Sequence, residues 1–194
     1  RHNVHRCTNC GFGQLHPTIP AHQLEDLYTN YYPRKAITVS SIQAGQERVN
    51  HRLTGRPSIY LQYAAPGLRI LDIGCGDGAS LLTLQAHGAE AYGTEFDHNV
   101  VAPAKQLGLH IHIGDITTAP YPDQFFDVIT LSQLLEHVEE PIMFLEQVKK
   151  KLKPGGKIVI TTPHLGGLQQ LLTGRRWVNW HIPFHVNFFS HSSI

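Results

Sequence analysis

Seven consecutive residues concentrate the chemistry of this chain: Asp72-Ile73-Gly74-Cys75-Gly76-Asp77-Gly78. The glycines let the backbone turn sharply and let a ligand approach it closely. The loop follows a strand-like apolar run, Leu68 to Ile73, and precedes a helix-like run, Ala79 to His87. That context is the one a nucleotide-binding loop requires. Gly74-x-Gly76-x-x-Ala79 also satisfies the dinucleotide fingerprint, and Glu95 lies about twenty residues on, where a ribose-binding acid belongs in either reading. Three features separate the two. Acids flank the glycines at Asp72 and Asp77, which would repel a pyrophosphate but not a cationic sulfonium with an amino-acid tail. Gly114-Asp115-Ile116 places an acid after the third strand, able to accept a hydrogen bond from an adenine amino group. Lys153-Pro154-Gly155-Gly156-Lys157 reads as a turn into a fifth strand.

Histidines are the second set of reactive residues. A general base near neutral pH is most readily a histidine. His137 follows the fourth strand, at the sheet edge where ligands bind in such folds. His181 and His185 lie past the fifth strand in a segment with Trp177, Trp180, Phe184 and Phe188, aromatics able to wall a water-poor pocket. Each of these histidines could equally hold a backbone carbonyl as a structural residue. Cys7-Thr8-Asn9-Cys10-Gly11 has the spacing of one zinc knuckle. Four ligands are needed, so His2, His5, His16 or residues upstream would have to complete a site; two thiols in a loop is the alternative. Tyr28, Tyr31 and Tyr32 could cover a pocket or simply pack.

The elements that must position these residues alternate. Strand signals at Leu68–Ile73, Ala91–Thr94, His110–Ile113, Phe126–Leu131 and Lys157–Thr161 are separated by helix signals at Ala79–His87, Asn99–Leu107 and Pro141–Leu152. Such alternation implies parallel pairing with right-handed crossovers. The fold expected is α/β, a doubly wound, mostly parallel Rossmann-like sheet with a small N-terminal helical or loop extension. Residues 1–35 are expected to form the Cys-x-x-Cys segment and aromatic lid, and 36–194 the cofactor-binding domain. Two helices are expected between about 36 and 66, divided at Gly55-Arg56-Pro57.

Composition sets the frame. The 194 residues, 41% apolar and 16% charged, suit a globular domain with a full core. A net charge of +1 gives no footprint for nucleic acid or an anionic membrane, and no apolar run approaches the ~20 residues of a membrane span. Three cysteines cannot all pair, which fits a reducing, cytoplasmic setting. The chain opens with Arg1 rather than Met, so a missing native N-terminus is expected.

Six ordered motifs carry a family resemblance. Ile70-Leu71-Asp72-Ile73-Gly74-Cys75-Gly76-Asp77-Gly78 resembles motif I of class I S-adenosylmethionine-dependent methyltransferases. Gly93-Thr94-Glu95, Gly114-Asp115-Ile116, Phe126-Asp127-Val128-Ile129, Leu135-Glu136-His137-Val138 and Leu152-Lys153-Pro154-Gly155-Gly156 resemble the later ones, in order, over roughly residues 66 to 190. The resemblance implies S-adenosylmethionine as cofactor. It places Gly74 and Gly76 at the amino-acid portion, Glu95 at the ribose hydroxyls, Asp115 and Ile116 at the adenine, and Leu131 and Ser132 at the methionine end, with Asp72, Cys75 and Phe96 also among the cofactor-binding residues. The segment ending in His185 resembles the acceptor side of methyltransferases that include sugar C-methyltransferases, where a His before an aromatic-Ser pair serves the active site. Ile182 and Pro183 depart from that pattern. The Cys7/Cys10 segment resembles half of the zinc ribbon preceding some of these proteins, implying structural zinc.

The function expected is methyl transfer to a small-molecule acceptor, with His185 or His137 as base or positioning residue. An inactive cofactor-binding module and a nicotinamide oxidoreductase are the alternatives. The family usually ends with a further helix and an antiparallel strand pair, and this chain stops at Ile194, where that helix should begin.

Overall fold

The structure is a computed structural model that describes residues 2–20, 23, 27, 37–50 and 62–194, with side chains in the helix ending at residue 50 described to residue 46. The tyrosines at 28, 31 and 32 and the second helix expected near residues 59–63 fall largely outside these residues. The chain forms two compact units. One comprises residues 35–132 and 143–160, the other residues 1–34, 133–142 and 161–194.

The first unit is the doubly wound domain. Its strands are β3 (Arg69–Ile73), β4 (Glu90–Glu95), β5 (His110–Ile113), β6 (Phe126–Ser132) and β7 (Leu152–Thr161). They lie in the order β5-β4-β3-β6-β7. β3 pairs parallel with both β4 and β6, and β4 pairs parallel with β5. The order therefore reverses at β3: the chain steps outward to β5, then returns to the other side. Ligands in such sheets bind at the carboxyl ends of the strands beside this reversal. β3 is buried from Ile70 to Ile73, with Asp72 the one charged residue in that stretch, because both of its faces are covered.

Helices α1 (Val39–Asn50), α2 (Ala79–Ala86), α3 (His98–Gln106) and α4 (Pro141–Lys151) belong to this alternation. The core joins Ile42 of α1, Leu81 and Leu84 of α2, and Val101 and Ala104 of α3 to Ile70, Ile111 and Val128 of the sheet. β7 starts earlier than its sequence suggests. It begins at Leu152, directly after α4, and runs through Pro154-Gly155-Gly156 rather than following a turn there.

The second unit contains more β-structure than its sequence indicates. β1 (Asn3–Arg6) and β2 (Gly13–His16) form an antiparallel hairpin, and β2 pairs with the short β8 (Asn187–Phe188). The expected N-terminal loop is thus a hairpin tied to the last part of the chain. Two small apolar clusters hold the unit. Leu15, Ile19 and Val186 form one, and Leu165, Trp177 and Phe188 the other. α5 (Leu168–Thr173) completes it.

Candidate functional site

The glycine loop joins β3 to α2 at the point where the strand order reverses. Gly74, Gly76 and Gly78 have φ of 71°, 55° and 78°, a left-handed backbone that side chains resist. At Gly76 a Cβ would meet none of the described residues within 4 Å, which leaves the loop backbone room for close approach by a ligand. At Gly78 it would lie 2.7 Å from Leu109 Cδ1, which is a packing requirement. Asp77 Oδ1 accepts the Ala79 N–H at 3.1 Å and so serves the start of α2.

Glu95 closes the cradle from the end of β4. Its Oε2 accepts the Gly76 N–H at 3.1 Å, and its Oε1 accepts those of Phe96 and Asp97 at 2.9 and 3.1 Å. The backbones of β4 and the loop meet closely here. Gly74 and Cys75 both donate to the Thr94 carbonyl, and a Cβ on Gly93 would stand 2.6 Å from Cys75 Sγ. Phe96 follows with 63% of its surface exposed, an aromatic ring at the rim of the cradle. After β5, Asp115 Oδ1 accepts the Thr117 and Thr118 N–H groups and the Thr117 hydroxyl. Partial burial opposes the Asp115 charge, but these bonds outweigh it and hold the carboxyl below its usual range. All three bonds fall on Oδ1.

Several residues expected at the cofactor lie beneath the cradle instead. Asp72 is buried, its Oδ2 bonded to the Ser80 hydroxyl and its Oδ1 to the Thr130 hydroxyl, both at 2.6 Å. This carboxylate ties β3 to α2 and β6 and positions the loop. The Cys75 side chain is buried, and burial together with Asp72, Glu95 and Asp77 pushes its thiol well up. Ile116 and Leu131 have no exposed surface, so their side chains join the interior rather than line a pocket. Apolar side chains at a sheet edge are drawn inward by the area they bury. Ser132 remains partly exposed at the end of β6.

The histidines assemble within the second unit. Glu136 and His137 lie on a 3-10 turn, Leu135–His137, and His185 stands with them. The His137 and His185 rings are 4.6 Å apart, edge to face. Nδ1–H of His137 donates to the Phe184 carbonyl at 2.9 Å, and Nδ1–H of His185 to that of Asn179 at 2.7 Å, the tautomers those acceptors require. Burial, with His137 and His181 nearby, pulls His185 down to about 4, and burial also lowers His137. This corrects the expectation of an open general base. A buried imidazole with that affinity for protons is a weak base at neutral pH. Trp177, Phe184 and Phe188 are likewise buried, forming core rather than an open acceptor wall.

Cys7 and Cys10 lie on the β1–β2 turn, where Cys7 N–H donates to the Phe12 carbonyl and Gly11 N–H to that of Cys7. Both thiols are free, and among the described residues no third ligand converges on them. His5 and His16 stack on one another instead, 4.6 Å between centroids.

With this geometry in hand, comparison with known proteins gives the family. A model of the methyltransferase domain matches residues 46–194. The chain belongs to the methyltransferase domain family. This methyltransferase domain is 34% identical over 107 residues to a ubiquinone biosynthesis O-methyltransferase of Coxiella burnetii, covering 52% of the chain and 46% of that protein. It is 27% identical over 139 residues to a demethylmenaquinone methyltransferase of a Mycobacterium species, covering 72% and 59%. The chain spans about half the length of these curated relatives. Its fold matches a SAM-dependent methyltransferase from Archaeoglobus fulgidus with a TM-score of 0.55 at 20% identity, covering 86% of this chain and 66% of that one. A second such structure, from Thermotoga maritima, gives 0.57 at 17%, covering 89% and 75%.

Two contributors to these sites were not singled out from the sequence. Tyr121 donates its hydroxyl to the Gly93 carbonyl at 3.0 Å, and burial, with Cys75 and Tyr92 close by, pushes it up to about 12. Glu136 is 1% exposed, a fully buried acid that the sequence shows only as one charge in an apolar run. The available signal was Leu134-Leu135-Glu136-His137, an acid placed where an apolar strand gives way to a turn.

Proposed function

We propose that this chain binds S-adenosylmethionine and belongs to an enzyme that methylates a small molecule. One observation carries the reading: Glu95, at the end of β4, is bonded to Gly76 N–H in the glycine loop at the strand-order reversal. A carboxylate there suits the two ribose hydroxyls. Gly74 and Gly76 would hold the amino-acid tail by their backbone, Asp115 would accept from the adenine amino group, and Phe96 would cover the ring. Ser132 would stand at the methionine end. Asp72 acts through the loop it anchors.

The bound cofactor supplies an activated methyl group on sulfur, so the protein's task is alignment and exclusion of water. The relatives named for ubiquinone and menaquinone biosynthesis support a small organic acceptor. Neither His185 nor His137 is assigned the role of base. Structural zinc at Cys7 and Cys10 would need ligands beyond the two thiols, and the short Cys7–Gly11 turn is what supports it. Among the described residues no helix is long and apolar enough to cross a membrane.

Calorimetric titration tests the reading. Binding of S-adenosylhomocysteine, lost or weakened in Glu95→Ala, supports it; absence of binding to the folded chain refutes it.

A further inference from the structure

Three ligand-type side chains converge in the second unit, away from the glycine loop in sequence and in fold unit. One carboxylate oxygen of Glu136 and one ring nitrogen each of His137 and His185 all lie within 4.8 Å of one another. We propose that Glu136, His137 and His185 form a binding site for a divalent transition metal of the zinc class, with at least one coordination position left to water or another oxygen ligand.

The first support is an orphan. Glu136 is 1% exposed, and its Oε1 has no hydrogen-bond partner among the described residues. A buried carboxylate oxygen without a partner costs folding free energy, and such a group in a native structure points to an absent ion or water. The second support is orientation. Metal-ligating histidines donate their other ring N–H to a backbone carbonyl or carboxylate, which fixes ring and tautomer. His137 and His185 both do so, to Phe184 and Asn179. The carboxylate is held in the same way, since the Thr162 hydroxyl donates to Glu136 Oε2 at 2.9 Å. All three candidate ligands thus have an outer partner that fixes them.

The ligand set names the metal. Two imidazoles and one carboxylate favour zinc-like ions over magnesium or calcium, which take mainly oxygen ligands. Three protein ligands, rather than four, is the number found in zinc sites that keep an open position. Glu136 and His185 are buried, while His137 is only partly so.

Cobalt(II), titrated into the full chain after removal of metals by chelation, tests the proposal. The expected result is about one equivalent bound, with visible ligand-field bands and no near-ultraviolet sulfur-to-metal charge-transfer band. Binding should disappear in His185→Ala and in Glu136→Gln and persist in Cys7→Ser/Cys10→Ser. Thr162→Val, which frees the carboxylate to turn, should weaken binding by about tenfold or more. One readout needs no variant. Wild-type protein with cobalt should show two paramagnetically shifted, solvent-exchangeable imidazole N–H signals, one for each Nδ1–H held by a carbonyl. No binding, binding that carries a sulfur band and vanishes in the cysteine variant, or binding without the two shifted N–H signals overturns the proposal. None of these readouts depends on methyl transfer, so the site stands or falls separately from the cofactor reading.

Discussion

Glu95 Oε2 accepts the Gly76 N–H at 3.1 Å, joining the end of β4 to the glycine loop after β3. The other carboxylate oxygen is held by the backbone of Phe96 and Asp97. The acid is therefore fixed at the strand-order reversal before any ligand arrives, which lowers the ordering cost of binding.

Removing this acid should act on affinity. Glu95→Ala is expected to weaken S-adenosylhomocysteine binding by roughly 1.5–3 kcal/mol, the range for hydrogen bonds to a charged group. Calorimetry on variant and parent reads the difference. Equal affinities would take Glu95 out of the site.

Asp72 should behave differently. It is buried and bonded to the Ser80 and Thr130 hydroxyls, so Asp72→Ala takes the carboxylate from both and leaves Thr130 only its longer 3.3 Å bond to the Leu71 carbonyl. A stability loss of roughly 2–4 kcal/mol is expected in urea unfolding, from the loss of two hydrogen bonds to a charged group. A variant that unfolds like the parent would show that this carboxylate does not hold the loop.

Gly93 is a site of close approach. A Cβ there would lie 2.6 Å from Cys75 Sγ and 2.9 Å from Leu81 Cδ1. Gly93→Ala should destabilise by roughly 1–3 kcal/mol through overpacking, and adding Cys75→Ala should restore part of the loss. Purely additive losses in the double variant would contradict the contact.

The histidine pair sets a pH dependence. His185 lies at about 4 because burial and its histidine neighbours oppose its charge. The unfolded chain takes up this proton first, so the stability contributed is present above about pH 6.5 and lost as pH falls toward 4. His137 shifts in the same direction, while burial raises Glu136 and so works the other way. In metal-free protein, NMR should show the His185 ring neutral at pH 5.5. Titration near 6.5 would mean an exposed ring and a different packing.

The parallel sheet was legible because short apolar-rich strand segments alternate with helix segments across turn residues, and the loop because glycines fell between strand and helix. The side-chain roles inside the loop were less so. The family resemblance places Asp72, Ile116 and Leu131 beside a ligand, but inward or outward orientation depends on the strand partners: Thr130 faces Asp72, and Ile116 turns into the interior. Glu136 and His185 are 49 residues apart, and no local pattern shows that they meet. The N-terminal hairpin escaped notice because its strands are four residues long and rich in polar side chains.

Competition between two nucleotides tests the central claim most directly. Titrated calorimetrically into the same protein, S-adenosylhomocysteine should bind and NADH should not, because the Asp77 carboxylate stands at the loop that a pyrophosphate would have to occupy. Micromolar binding of NADH with none of S-adenosylhomocysteine would contradict the account.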